Sequence, residues 1–156
     1  MLKENSFIIK TSLGPFRADL SDNLKKLKQL KLIKKYASSS NNKIPLVSHI
    51  ETQLNQYLLG RLTSFDIPIT YSGTPFQQRV WDALLRIPYG KTVSYQYIAK
   101  KINSPHAVRA VGTAISRNPI MLIVPCHRVI KSSGAIGEFA YGSKLKEKLL
   151  KIEKNI

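Results

Sequence analysis

One cysteine stands in this chain, Cys126, within Ile123-Val124-Pro125-Cys126-His127-Arg128-Val129-Ile130. The thiolate is the nucleophilic form of cysteine, and a neighbouring imidazole is the common means of producing it near neutral pH. A free thiol, with a pKa of roughly 8.5, is only about a few per cent thiolate at pH 7. The ordinary fate of a lone cysteine is a buried, inert space-filler. An apolar approach, a proline before and a histidine after favour a placed nucleophile instead. The chemistry open to such a pair is transfer of a group to sulfur or Cys–His hydrolysis. A single thiol also excludes an internal disulfide and any intrachain zinc site built on two thiolates. An intracellular setting is expected, cytoplasmic, or nuclear in a eukaryote.

The second half of the chain must supply the elements that hold this pair. Thr74-Pro75 starts a helix, and Phe76, Val80, Trp81, Leu84 and Leu85 recur at helical spacing until Pro88-Tyr89-Gly90. A helix from about Ser94 to Ile102, a turn at Asn103-Ser104-Pro105 and a second helix to Arg117 follow. Asn118-Pro119 stops that helix, and the apolar run Ile120 to Val124 leads to Cys126. Ser132 to Gly142 is a Gly-rich loop, and a basic helix runs from Ser143 to Lys154. Two helices across a short turn have a helix-turn-helix layout. In the second, Ala107, Ala110, Gly112 and Ala114 are small, and Arg109 is the only long charged side chain before Arg117. Such a helix could lie against a phosphate backbone and insert one side chain from the minor groove. Tight packing inside a protein core accounts for the same small residues equally well.

The first half predicts a small α/β domain. Phe7–Lys10 and Phe16–Leu20 are strands about a turn at Thr11–Pro15. Asp22 is expected to cap a helix through Tyr36, with Leu24, Leu27, Leu30 and Ile33 on one face. Ala37–Lys43 is a loop, Pro45–Leu59 an amphipathic helix ended by Gly60, and Phe65–Ile69 a strand. The boundary at Ser72-Gly73-Thr74-Pro75 divides the chain into domains 1–73 and 74–156. No catalytic constellation is visible in the first.

Charge is the strongest global signal: 25 Lys and Arg against 9 Asp and Glu, a formal +16. Both halves share it, with 11 basic against 5 acidic residues up to Gly73 and 14 against 4 after it. Such a chain attracts polyanions, nucleic acid above all. Solvated lysine-rich faces without a partner are the alternative, and the six lysines from Lys25 to Lys35 suit it. No apolar run reaches the roughly 18 residues of a membrane span, and the N-terminus lacks a signal-peptide core.

Residues 74–156 resemble the catalytic domain of the O6-alkylguanine-DNA alkyltransferases, the methylated-DNA–protein-cysteine methyltransferases. The likeness rests on Thr74-Pro75-Phe76-Gln77, Ile87-Pro88-Tyr89-Gly90, Val93-Ser94-Tyr95, Arg109-Ala110-Val111-Gly112, Asn118-Pro119 and Pro125-Cys126-His127-Arg128-Val129. The first half resembles the family only through Tyr57-Leu58-Leu59-Gly60. The resemblance implies a ribonuclease-H-like α/β N-terminal domain and a mainly α C-terminal domain with a DNA-binding helix-turn-helix. It implies a single-turnover repair reaction: Cys126 takes the alkyl group from O6 of a flipped-out guanine and keeps it. O4-alkylthymine is left open as a second substrate.

By the same resemblance, a water joins Cys126 to His127, Glu153 orients the imidazole, and Asn118 ties the DNA-binding helices to the active-site loop. Arg109 fills the space left in the base stack, and Tyr95 presses on the target's 3′ phosphate. Gln96, Ser104, Ala110, Arg128 and Ser132 lie near the DNA. Met121, Val129, Phe139, Ala140 and Tyr141 line the substrate pocket. No cofactor, metal or membrane is implied. The partner is double-stranded DNA carrying O6-alkylguanine, bound by a monomer, with cooperativity along DNA left open. The chain departs from many relatives at Phe139, where Tyr is frequent, and at Tyr141, where Gly is frequent. Phe139 cannot donate a hydrogen bond to the guanine, and Tyr141 is expected to narrow the pocket. Two alternatives remain: a non-catalytic lesion-binding or regulatory helix-turn-helix protein, and a Cys–His hydrolase that turns over. The first class, in its alkyltransferase-like form, lacks the reactive cysteine present here.

Overall fold

The alternation of Phe16, Ala18 and Leu20 buries every second side chain of a strand, the pattern of a sheet with one covered face. The computed structural model describes residues 3–35 and 44–154. Strands β1 (Ser6–Thr11), β2 (Gly14–Leu20) and β3 (Leu27–Leu32) form an antiparallel sheet in that order. Ile9 pairs with Phe16 and Phe7 with Ala18, and a bulge falls at Asp19/Leu20. The Thr11 hydroxyl donates to Gly14 O at 2.9 Å and accepts from Leu13 N–H at 3.1 Å, closing the first turn. Helix α1 (Pro45–Leu58) packs on β1 and buries Val47, Ile50, Leu54 and Tyr57.

Where a helix is expected from Asp22 to Tyr36, the described residues form a turn followed by β3, and Tyr36 lies outside them. Leu24 takes a positive φ of 59°, which a helix cannot accommodate. The backbone of β3 then finds partners far away in sequence. Leu27 N–H donates to Pro68 O and Thr70 N–H to Leu27 O. Leu30 N–H donates to Pro119 O and Met121 N–H to Leu30 O. These pairings outweigh the local leucine spacing. The strand expected at Phe65–Ile69 reduces to a bridge between Ile69 and Leu27. The loop expected at Ala37–Lys43 lies outside the described residues.

The chain divides into two compact units, Met1–Tyr71 with Pro119–Met121, and Ser72–Asn118 with Leu122–Ile156. The second opens with α2 (Pro75–Leu85), whose capping box joins Thr74 and Gln77 reciprocally. Gly73 must be glycine, because a Cβ there would sit 2.8 Å from the Trp81 ring. Trp81 Nε1–H donates to Ala114 O at 2.9 Å and so ties α2 to α4 (Val108–Ser116). Strand β4 (Val93–Ser94) runs into α3 (Tyr95–Lys101), and Ser94 caps that helix by accepting from Tyr97 N–H. Helices α3 and α4 pack together across residues 102–107. The second helix starts three residues later than Pro105, because 105–107 form a turn in which Ala107 N–H donates to Ser104 O. The short strand β5 (Val129–Ile130) pairs in parallel with β4, and α5 (Ser143–Lys154) closes the unit.

Candidate active site

Cys126 opens a single 3-10 turn, Cys126–Arg128, directly before β5. Leu122 takes a φ of 71° just upstream, a conformation that costs a leucine on the order of 1 kcal/mol. The turn is buried throughout: Cys126 is 5% exposed, His127 0% and Arg128 7%. The Asn118 side-chain amide, beyond the end of α4, donates to Val124 O at 2.7 Å. It also hydrogen-bonds the thiol.

Glu153, on the last turn of α5, lies beneath this turn and is 4% exposed. Its Oε2 accepts from His127 Nε2–H at 2.5 Å and from Arg128 Nη2 at 3.1 Å. Its Oε1 accepts from Arg128 Nε at 2.7 Å and from the Gly90 N–H at 3.2 Å. Arg128 Nη1 donates to Ile87 O at 2.6 Å. Paired with the guanidinium, the carboxylate is ionised, so it holds the imidazole proton on Nε2 and leaves the Nδ1 lone pair as the basic site.

Burial pushes the Cys126 thiol up from its ordinary value. The Asn118 hydrogen bond, the Lys146 charge and the backbone N–H groups of Cys126 and His127 pull it back only in part. Burial likewise holds His127 below its ordinary value, against the opposing pull of Glu153. At rest, therefore, the pair is a neutral thiol and a neutral imidazole.

The other expected site residues divide. Tyr95 is half-buried, and burial raises its phenol, helped by the charges of Cys126 and Glu138. Arg109 and Ala110 are exposed on α4, and Ser132 is exposed in the 131–142 loop. Ser104 lies in the turn between α3 and α4, where its N–H donates to Ala99 O. Gln96 donates to Pro105 O at 3.0 Å and braces the same turn. Val129 is buried in β5, and the rings of Phe139 and Tyr141 meet at 5.6 Å, tilted by 57°, with Ala140 exposed between them in sequence. Met121 belongs to the first compact unit, where it pairs with Leu30 of β3. Arg128 was expected at the DNA. It lies in the interior instead, because Glu153 and Ile87 O take up its guanidinium. Lys146 was not expected at all. It is 1% exposed, and its Nζ donates to Val129 O at 2.6 Å and Glu138 O at 3.2 Å. In the sequence it is one of five lysines after Gly142. Only its seven-residue offset from Glu153, two helical turns along one face, could have singled it out. Among the described residues no group of three or more His, Cys, Asp or Glu could hold a metal ion. No described helix is long and apolar enough to cross a membrane.

A family model for the DNA-binding domain of 6-O-methylguanine DNA methyltransferase matches residues 75–155. A methylated-DNA–protein-cysteine methyltransferase of Methanosarcina barkeri is 43% identical over an aligned 156 residues, 95% of this chain and 96% of that protein. One from Mycobacterium tuberculosis is 54% identical over 103 residues, 66% of this chain; the matched part spans 62% of that relative. The crystal structure of Mycobacterium tuberculosis OGT in complex with DNA superposes with a TM-score of 0.85 at 41% identity, covering 95% of this chain and 91% of that one. The thiol beside the buried His–Glu–Arg set lies in a fold shared with these proteins. The chain belongs to the methylated-DNA–protein-cysteine methyltransferase family.

Two consequences of the buried set can be measured. Arg128→Met leaves the Glu153 carboxylate buried and uncompensated, which should cost about 3–5 kcal/mol in urea unfolding. The salt dependence of DNA binding should stay unchanged; a stable variant whose salt slope falls by about one would return Arg128 to the DNA surface. The second concerns pH. The folded pKa of His127 lies below its unfolded value of 6.5, so between the two the unfolded chain takes up a proton that the folded chain refuses. This group's contribution is complete above the unfolded pKa and is lost as pH falls, by up to about 1.4 kcal/mol per unit. Unfolding at about pH 7 and about pH 5.5 should show the loss, and His127→Gln should show a smaller one. Equal losses in both proteins would place the titration elsewhere.

Proposed function

We propose that this protein repairs DNA by direct reversal, with Cys126 as the acceptor of the alkyl group from O6-alkylguanine in double-stranded DNA. The observation that carries this reading is the buried Cys126 thiol set beside His127, whose Nε2 proton Glu153 holds at 2.5 Å. Family membership supplies the reaction class.

A raised thiol needs a base at the moment of attack. His127 provides it at Nδ1, through a water, and Glu153 stabilises the imidazolium that results, as in triad logic. The sulfur attacks the alkyl carbon in line with the departing O6. The S–C bond forms, the C–O6 bond breaks, and its electron pair stays on the guanine. The thiol proton is balanced on the released base. A thioether is a poor leaving group, so the acceptor is spent after one turnover. Asn118 keeps the sulfur and the Val124 carbonyl in register through its two hydrogen bonds.

A stacked guanine cannot present O6 in line to a buried sulfur, so the nucleotide is flipped out at a cost of about a few kcal/mol. Residues 74–156 form the DNA-binding and alkyl-acceptor domain in this reading. Helices α3 and α4 act as its helix-turn-helix, and the exposed Arg109 on α4 fills the vacated stack. Tyr95 presses on the 3′ phosphate. Ala110, Ser104, Gln96 and Ser132 border the backbone. Val129, Phe139, Ala140 and Tyr141 wall the pocket, and Met121 is kept as a pocket residue by family likeness alone. Residues 1–73 form the α/β domain. The antiparallel β1-β2-β3 meander followed by α1 supports its ribonuclease-H-like reading. The protein acts as a monomer in the cytoplasm, or in the nucleus of a eukaryote.

Mixing the protein with a duplex containing O6-methylguanine should raise its intact mass by one methylene, about 14 Da, through a covalent bond to sulfur. Cys126→Ser should show no gain. Repair with unchanged mass would point to a hydrolase, and lesion binding without either would point to a non-catalytic binder. Arg109→Ala should slow repair of duplex at least tenfold more than reaction with a free alkylated base, since only the duplex requires flipping. Equal slowing would remove Arg109 from that role.

A further inference from the structure

Two cations of the second unit, Arg128 and Lys146, are buried. Glu153 neutralises the first. The second has no carboxylate within ion-pair distance among the described residues, and two carbonyls hold it instead.

We propose that Lys146 is a positioning residue for the acceptor thiol: its ammonium ties β5 to the far limb of the 131–142 loop and sets an uncompensated positive charge next to Cys126. This rests on Cys126 being the acceptor. One carbonyl of the tether, Val129 O, lies one residue beyond the Cys126–Arg128 turn. The other, Glu138 O, directly precedes the pocket wall Phe139-Ala140-Tyr141. The same Nζ lies 5.9 Å from the centre of the Tyr95 ring, on its face. One side chain thus spans the turn, the loop and α3.

A neutral donor could satisfy two carbonyls without burying a charge, which is far costlier. The charge therefore has a use, and the thiolate is what it can stabilise. Burial lowers Lys146 to about 8 and Cys126 opposes that fall. Lys146 in turn lowers Cys126. The titratable groups around it are Cys126 and His127 in the turn, Tyr95 on α3 and Glu138 in the loop. On its own helix, Glu153 is occupied by His127 and Arg128, and Glu147 pairs with Lys151 at the surface.

The test is the pH dependence of Cys126 alkylation by iodoacetamide, read as intact mass; with one cysteine in the chain, the thiol adduct is unambiguous. Lys146→Met should move the profile up by about one pH unit, a roughly tenfold loss of rate at pH 7. Lys146→Arg, which keeps the charge, should stay within about threefold of the parent protein. A Met variant that coincides with the parent protein, or an Arg variant that shifts as far as the Met variant, overturns the proposal. Should Lys146→Met fail to fold, the reciprocal measurement decides. Coupling acts equally in both directions, so Cys126→Ser should lower the titration midpoint of the Lys146 side chain, followed by carbon-13 NMR at Cε. An unchanged midpoint overturns it. Neither arm uses DNA. A protein that passes both and takes up no methyl group would refute the repair reading and leave the role of Lys146 intact.

Discussion

The buried carboxylate of Glu153 is the interaction on which the site depends. A carboxylate removed from water costs several kcal/mol unless its lone pairs are met. Here four donors meet it: the imidazole, two guanidinium nitrogens and the Gly90 N–H. The donors come from two segments, the Cys126–Arg128 turn and the residues after α2, and the carboxylate comes from α5. Each segment is short or irregular and would not hold its shape by its own hydrogen bonds. Glu153 gives them a common point of attachment. The Tyr89 hydroxyl, donating to Ile152 O at 3.2 Å, adds a second tie between the same two elements.

That constraint also explains why Cys126 sits in a 3-10 turn. A three-residue turn can aim Cys126 one way and direct His127 and Arg128 to a carboxylate below. A strand would send neighbours to opposite faces, and a helix would spread them by about 100° each. The φ of 71° at Leu122 lies four residues before the turn. The cost of that conformation is met by burial of Leu122, 1% exposed.

Much of this was legible in the sequence, for physical reasons that differ by element. Thr74-Pro75 with Gln77 is a local start signal, and the capping box forms there. The loop 132–142 and α5 follow from glycine spacing and periodic leucines in the same way. The region of β3 was misread because Leu24, Leu27, Leu30 and Ile33 satisfy a helical period. The strand conformation of Leu27 and Leu30 is imposed by Pro68, Thr70, Pro119 and Met121, whose proximity no local rule contains. Within the site, the nearness of His127 to Glu153 was reached by family likeness alone, since 26 residues separate them. Arg128 and Lys146 were harder. A sequence shows that a side chain is cationic but not whether it faces water.

That last distinction changes what the net charge means. A formal +16 treats every lysine and arginine as a contribution to the outer field. Arg109 on α4 belongs to that field, being exposed and without a carboxylate within ion-pair distance among the described residues. Arg128 and Lys146 do not. Lying behind the surface, they act over a few ångströms in a medium that screens them weakly, where charge governs protonation rather than attraction. The two sets of cations then perform separable tasks. The outer set contributes to the long-range field, which added salt screens steeply. The inner set fixes a carboxylate and biases a thiol, and added salt leaves it largely untouched. A raised thiol pKa beside a charge that favours the thiolate is accordingly no contradiction: burial keeps the sulfur protonated, and the inner charge lowers the cost of ionising it.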